Sequence, residues 1–196
     1  MNWAGALSLV LFILTFSMNW WWMEGYLPNL GGFFKYNGNP ITFIWSSGNT
    51  SSLSMSLETF KWLSEEGRLP PGVAYRTGVT KFFLMLNSIF LILAFFITVY
   101  ALLRKSSKAY FVSASLVFIA FLFFEFAFLV TEAPRTATLT FDANGEQGYV
   151  KWGEDIGKYS AILLSVALIL SGFLNSYLYE RPRVLRRRPR RARVYW

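Results

Sequence analysis

The sequence predicts an all-α membrane protein, a four-helix bundle capped on its extracellular side by a small antiparallel β-sheet that both outer loops build. Hydrophobic residues make up 54% of the 196 residues, and charged residues make up 15%, against about 25% charged residues in a typical soluble domain. The apolar residues fall in four long blocks, and the stretches between them alternate in the manner of β-strands. These observations indicate one membrane domain with an extramembrane cap.

Four segments come close to the roughly 20 apolar residues that a helix needs to cross a bilayer core of about 30 Å. Within a single membrane domain of residues 1–196, they cover residues 3–22, 82–103, 109–130 and 157–179. The first segment could be a cleaved signal peptide, but it has no basic residue before it and no small-residue cleavage site after it, which favours a retained helix. It ends in Trp20-Trp21-Trp22, as expected for the aromatic belt of a membrane interface.

The charge distribution predicts the orientation. The link at 104–108 carries three basic residues and no acid, and the tail at 180–196 carries eight arginines and one glutamate. Residues 20–81 hold five basic and four acidic residues, and residues 132–158 hold three basic and five acidic ones. The positive-inside rule therefore places the link and the tail in the cytoplasm. We expect a multi-pass protein of the plasma membrane with both termini cytoplasmic and both long loops outside.

The first outer loop, residues 23–81, is patterned rather than linker-like. Residues 33–36 and 41–45 flank an Asn-Gly-Asn-Pro turn, which predicts a strand, a turn and a strand. Residues 52–57 alternate strictly between polar and apolar and predict a further strand. A short helix is expected at 58–66, with Gly67 ending it.

The second outer loop, residues 131–156, predicts a hairpin. Residues 138–141 and 149–152 flank a turn that contains Asn144-Gly145, a strong hairpin signal. Isolated two-stranded hairpins are marginal in water, so we expect strands of both loops to share one sheet; the alternative is two loops without a common fold. The expected apolar face of the sheet comprises Phe43, Trp45, Leu53, Met55 and Phe141.

Cysteine and histidine are both absent from the chain. Their absence excludes disulfides, zinc sites built on Cys or His, haem with a His or Cys ligand, and Ser–His or Cys–His nucleophiles. No cofactor, no metal and no enzymatic activity are expected, because acid–base groups are scarce in the apolar segments. The outer carboxylates are interpreted as solvated surface, namely Glu58, Glu65, Glu66, Glu154 and Asp155.

Glu125 lies inside the third apolar segment, in the run FLFFEFAFLV. A carboxylate at the centre of a membrane helix costs about 2.5–3.5 kcal/mol, so Glu125 is expected to face the bundle interior. The predicted intramembrane polar cluster adds Asn87, Thr15 and Ser165, with Lys81 or Lys158 reaching down to it. Two interpretations stay open: the cluster holds helices together by hydrogen bonds, or it is the proton or ion site of a small transporter or channel component.

The tail is basic and interrupted by prolines. Its arginines are Arg181, Arg183, Arg186, Arg187, Arg188, Arg190, Arg191 and Arg193. We expect them to lie on anionic lipid headgroups, where each basic residue gains about 1 kcal/mol; docking on an acidic partner protein is the alternative. Nucleic acid is not an expected partner, because no binding fold accompanies the charge.

Asn49 begins the sequon Asn49-Thr50-Ser51 in the first outer loop. A sequon in an exposed turn is typical of an N-glycosylation site. Asn49 is therefore a candidate modification site.

Four apolar segments, a large first outer loop with Trp45, a smaller second loop and a basic tail make a layout that resembles the claudin/PMP22-like tetraspan family. That resemblance implies one extracellular sheet from both loops and a role in cell–cell contact or as an auxiliary subunit. The chain has no Gly-Leu-Trp and no cysteine in its first loop, so no functional residue is carried over. The expected function is non-enzymatic: contact with other membrane subunits or with a second copy of the chain.

Overall fold

The computed structural model describes residues 2–28, 32–45, 52–69, 72–131, 134–143 and 145–180. The helices are α1 (Trp3–Ser17), α2 (Pro40–Trp45), α3 (Ser52–Glu65), α4 (Gly72–Arg104), α5 (Ser107–Thr131) and α6 (Gly157–Asn175). The strands are β1 (Trp21–Leu27), β2 (Gly32–Gly38), β3 (Ala137–Ala143) and β4 (Glu146–Glu154). A π-helical turn, Ser176–Glu180, follows α6. The described chain is therefore mostly helical, with one small sheet.

Three helices are long and apolar enough to cross a membrane, and they contain the predicted second, third and fourth segments. The qualifying stretches are Arg76–Arg104, Ser107–Val130 and Gly157–Tyr179. Helix α1 has 15 residues, or about 22 Å of length, which is less than the bilayer core. The expectation of a first helix through residue 22 is wrong, because the chain leaves the helix after Ser17 and enters β1.

The four apolar helices pack side by side. Helix α5 contacts α4 and α6, and α1 contacts α6 and α4. Hydroxyl pairs join them: Thr98 Oγ1 lies 2.6 Å from Ser113 Oγ, and Ser8 Oγ lies 3.2 Å from Ser171 Oγ. We call the end that holds the 104–108 link the link end, and the opposite end, next to the strands, the sheet end.

The sheet has the strand order β2-β1-β4-β3, and all its neighbours are antiparallel. Strands of both loops thus share one sheet, as expected, and the central pair β1–β4 joins the two hairpins. The predicted β3–β4 hairpin is confirmed, with Gly145 at φ +88°, a conformation that glycine adopts without steric cost. The strand at 33–36 is also confirmed, but its partner is β1.

Two predicted strands are helices instead. Residues 41–45 belong to α2, where Asn39 accepts a hydrogen bond from the Thr42 N–H and Thr42 Oγ1 accepts one from the Asn39 N–H, each at 2.9 Å. This reciprocal cap, with Pro40 in the first turn, starts a helix. Residues 52–57 belong to α3. Over the full length of α3 the apolar residues recur at the spacing of a helix.

The predicted apolar face therefore does not exist as a sheet surface. Of the five residues, Phe141 alone lies on a strand. Phe43 belongs to α2, and its side chain is buried. Trp45, Leu53 and Met55 lie in α2 and α3, and their side chains are outside the described part of the structure.

Aromatic rings join the sheet to the helices. The Trp21 ring lies 5.8 Å from the Phe60 ring on α3 and 5.5 Å from the Phe128 ring on α5. Trp20, just before β1, packs edge-on against Phe124 at 5.2 Å. Trp20 and Trp21, two of the three tryptophans expected at a lipid interface, are thus core residues that fix the sheet on the bundle, whereas Trp22 is partly exposed.

Candidate functional site

Four charged side chains meet where the sheet joins the helices, and we call them the charge ring. Glu125 comes from α5 and Lys158 from the first turn of α6. Glu154 is the last residue of β4, and Arg135 lies just before β3. Four separate elements therefore contribute one charge each.

The contacts close a cycle of alternating charges. Lys158 Nζ donates to Glu125 Oε1 at 3.1 Å and also to Glu154 Oε2. Arg135 Nη1 donates to Glu125 Oε2 at 2.5 Å and to Glu154 Oε1 at 3.1 Å. Every carboxylate oxygen of the ring is engaged, and the net charge is zero.

Burial differs between the two cations. The Lys158 side chain is 4% exposed and the Arg135 side chain is 49% exposed. The hydrogen bond that Arg135 donates to Glu125 raises the pKa of the Arg135 guanidinium above its ordinary value, although partial burial acts against this. The ring therefore has a buried cation on its helix side and a half-exposed cation on its solvent side.

The ring is built to hold elements together. A buried charge stripped of its partner is costly, so α5, α6, β4 and the segment before β3 are fixed relative to one another. The interpretation of Glu154 as solvated surface is wrong: its side chain is 14% exposed and paired. Sequence reasoning missed the pair of Glu154 and Lys158, and their spacing of four residues is the one signal in the sequence that could have found it.

Among the described residues, no hydrogen bond joins the members of the predicted polar cluster to one another, and only Glu125 belongs to the ring. Asn87 Nδ2 donates to the Ala120 carbonyl at 2.8 Å, and Ser165 Oγ donates to the Ala114 carbonyl at 3.4 Å. Thr15 Oγ1 accepts from Ser160 Oγ at 3.0 Å. Of the two lysines considered, Lys158 contacts Glu125; Lys81 has an interaction elsewhere.

A second candidate surface is the side of the sheet that faces away from the helices, which we call the outward face. It consists of cross-strand rows, and burial alternates along β1 accordingly. One row is Phe33, Tyr26, Tyr149 and Thr140; the next is Lys35, Glu24, Lys151 and Thr138; a third is Asn37, Trp22 and Gly153. Sequence reasoning missed this face because it assigned Trp21 and Trp22 to the first helix and predicted no strand in the rest of β1.

Aromatic side chains dominate the first of these rows. Phe33 is 79% exposed, and its ring lies 4.7 Å from the Tyr26 ring. Lys151 Nζ lies 5.2 Å from the centre of the Tyr149 ring. The charge of Glu146, which accepts a hydrogen bond from the Tyr26 hydroxyl at 3.3 Å, raises the Tyr26 pKa. The outward face thus offers rigid rings and charges of both signs.

The remaining predicted site residues cannot be placed. Asn49 and all eight tail arginines lie outside the described residues. Across the described ranges, no group of three or more acidic side chains is arranged to hold a metal ion.

When the sequence is compared with known proteins, no family model and no curated protein matches this chain.

Proposed function

We propose that this chain is a non-enzymatic integral membrane protein that crosses the plasma membrane four times and binds a partner protein through its outward face. In this proposal α1, α4, α5 and α6 are the spans, and the sheet is extracellular. The link and both termini are cytoplasmic. The chain acts as an accessory subunit of a membrane assembly.

Helix length and charge support the membrane part of the proposal. Three helices meet the length and hydropathy that a span requires, and α1 packs beside two of them. The basic link lies at the end opposite the sheet, and the positive-inside rule favours that end for the cytoplasm. Helix α1 is short, but the chain that follows it stays apolar, because Trp20 and Trp21 are buried in the aromatic core.

The exposed aromatic row is the observation that carries the contact function. Tyr, Trp and Phe are enriched at the centres of protein interfaces, and Phe33 is 79% exposed beside Tyr26 and Tyr149. The charge ring and the buried tryptophans hold the sheet in place. The aromatic side chains of the outward face should therefore lose little conformational entropy when a partner binds. A preorganised surface binds more tightly than a mobile one.

The size of the outward face favours a partner in the same membrane. Four strands about 4.8 Å apart, each of about seven residues at 3.3 Å, cover roughly 440 Å². A stable interface buries about 800 Å² on each partner, so the sheet supplies about half of that area. A second membrane subunit, or a second copy of the chain, can add contacts along the helices.

The claudin-like layout belongs to this proposal as well. A sheet shared by both loops is the feature that the resemblance implies, and it supports a role in contact between membrane proteins. The transporter alternative gains no support from Glu125, because both carboxylate oxygens of this residue are occupied by cations of the protein.

Photo-cross-linking in native membranes tests the proposal. We expect benzoylphenylalanine in place of Phe33 to form an adduct with one protein of defined mass, because this position is the most exposed of the aromatic row and lies on the edge strand β2. The matched control places the same group at Lys61, which is exposed on α3. Mass spectrometry of the adducts identifies the partner.

The variant Phe33→Asp should dissociate the complex in mild detergent while leaving the unfolding midpoint unchanged, since Phe33 is exposed. Adducts from position 33 that are no more abundant than those from position 61, together with a chain that migrates alone, would contradict the proposal.

A further inference from the structure

A cavity of about 310 Å³ opens at the link end, far from the outward face. Its wall is formed by the start of α1, the end of α4 and the end of α6. The lining residues are Asn2, Ala6, Leu102, Lys105, Asn175 and Tyr179. Ligand pockets commonly measure about 300–1,000 Å³, so this cavity suits a small group.

One buried polar atom in the wall of this cavity lacks a partner, and a second lies nearby. Asn175 is 1% exposed, and its Nδ2 has no acceptor within the described part of the chain. The Tyr110 hydroxyl, beside Gly5 and Leu102 but outside the cavity lining, is also buried and has no partner among the described residues. Buried N–H groups are nearly always satisfied, so the orphaned Asn175 amide in the wall of the cavity indicates a missing acceptor.

The electrostatics at the cavity favour an anion. Lys105 lines it, with Nζ 4.6 Å from the centre of the Tyr179 ring, and no acidic residue is among the lining residues. Helix α1 begins here, with Asn2 as its N-cap. The free N–H groups and the dipole of a helix N-terminus attract negative charge. Lys105, the Asn175 amide and the N-terminus of α1 therefore all border this cavity.

We propose that this cavity binds a phosphate group, with Lys105 and the α1 N-terminus balancing its charge and Asn175 Nδ2 donating a hydrogen bond to it. A phosphate has several acceptor oxygens, so it can meet these donors at the same time. The group could belong to a lipid headgroup or to a free phosphate. The inference is independent of the partner proposed for the outward face.

The experiment uses the purified full-length chain in detergent micelles. Phosphatidic acid and phosphatidylcholine are added in equal amounts, and native mass spectrometry counts the lipids that stay bound. Inorganic phosphate is titrated separately, in lipid-free micelles, and binding is followed by calorimetry. Retention of phosphatidic acid by the wild type indicates a lipid headgroup, and binding of inorganic phosphate alone indicates a free anion; either outcome supports the site.

Variants decide whether the binding is at this cavity. Lys105→Asn removes the charge but keeps a residue that tolerates the positive φ of 53° at this position. We expect it to weaken binding about tenfold, and Asn175→Asp, which replaces a donor with a negative charge, to weaken it at least as much. The matched control, Lys108→Gln, removes an exposed charge of the same link outside the cavity and should change binding less than twofold.

Binding of neither probe by the wild type would overturn the proposal. An equal loss in Lys105→Asn and Lys108→Gln would also overturn it, because binding would then depend on the basic surface in general. If Asn175→Asp does not fold, the comparison of Lys105→Asn with Lys108→Gln decides the outcome, since both lysines are exposed.

Discussion

At the sheet end, four charged side chains close a neutral ring, whereas at the link end Arg104, Lys105 and Lys108 have no carboxylate partner among the described residues. Within the described part of the chain, the sheet end satisfies its ring carboxylates completely and leaves only the Trp21 indole N–H unpaired there, while the link end leaves the buried Asn175 Nδ2 unpaired next to a cavity. Complete pairing is what a structural junction requires. Charge and donors without partners are what a binding site offers.

This difference separates two roles of polar groups in one bundle. At the sheet end, charge costs little, because opposite charges face each other and hold the sheet in place. At the link end, charge costs stability and is kept available for an outside ligand. Apolar replacements of the ring cations at the sheet end and of the unpaired Asn175 amide at the link end should therefore have opposite effects on the free energy of unfolding.

Lys158→Met should be the most damaging of these substitutions. It removes the buried cation and leaves Glu125 and Glu154 facing each other, at a cost of about 3–5 kcal/mol in the free energy of unfolding. Denaturant titration in detergent measures it. Arg135→Met is the matched control, with an expected loss of at most about 1 kcal/mol because water reaches this half-exposed cation. Equal losses in the two variants would remove the distinction between the buried and the exposed cation.

Gly157→Ala should come next. An added Cβ would overlap the backbone carbonyl of Asn19, which accepts a hydrogen bond from the Gly157 N–H at 3.0 Å. Backbone cannot move aside easily, so we expect a loss of about 1–3 kcal/mol, measured as a lower unfolding midpoint. Gly172→Ala, nearer the link end, meets only the Phe111 ring at 3.0 Å and should lose less. The reverse ranking would show that the link end is the tighter of the two.

Asn175→Leu should stabilise the protein in the absence of ligand, by about 1 kcal/mol, because it removes an unsatisfied buried donor. Asn87→Leu is the control: it removes a donor that is bonded to the Ala120 carbonyl, so its effect should be smaller or opposite in sign. Chemical denaturation of both variants in phosphate-free detergent makes the comparison. Destabilisation by Asn175→Leu would mean that its amide is satisfied.

The long apolar helices and the second hairpin could be predicted because each has a strong local signal. The runs of α4, α5 and α6 exceed the length of most soluble helices, and Asn-Gly specifies the turn. The sharing of one sheet by both loops followed from the weakness of isolated hairpins. These features depend on local sequence or on a general stability limit.

The prediction for the first outer loop was wrong for reasons that are equally physical. The alternation at 52–57 is too short to distinguish a strand from a helix, and the apolar spacing from Leu53 through Leu57, Phe60 and Leu63 has the helical period. Asn39-Pro40 is a helix start that was interpreted as a turn. The start of strand β1 was not recognised in the run of tryptophans. The sequence does not distinguish tryptophan rings that are buried in an aromatic core from rings that lie at a lipid interface.

Two of the four residues of the charge ring, Glu125 and Lys158, could be predicted from the sequence. A carboxylate in an apolar run needs a partner, and that requirement led to Lys81 or Lys158, of which Lys158 makes the contact. Arg135 and Glu154 could not be found in this way, because their approach depends on the register of β4 against β1, which puts Glu154 opposite Trp21. The link-end cavity depends on three helix ends meeting, which no local pattern reports.

Cysteine labelling tests most directly the claim that the two ends face opposite sides of a membrane. The chain has no cysteine, so single replacements at Thr140, exposed on the sheet, and at Lys108, exposed in the link, give no background. With a membrane-impermeant maleimide, we predict that Thr140→Cys is labelled in intact cells and Lys108→Cys only after permeabilisation. Equal labelling of both positions in intact cells would contradict the account.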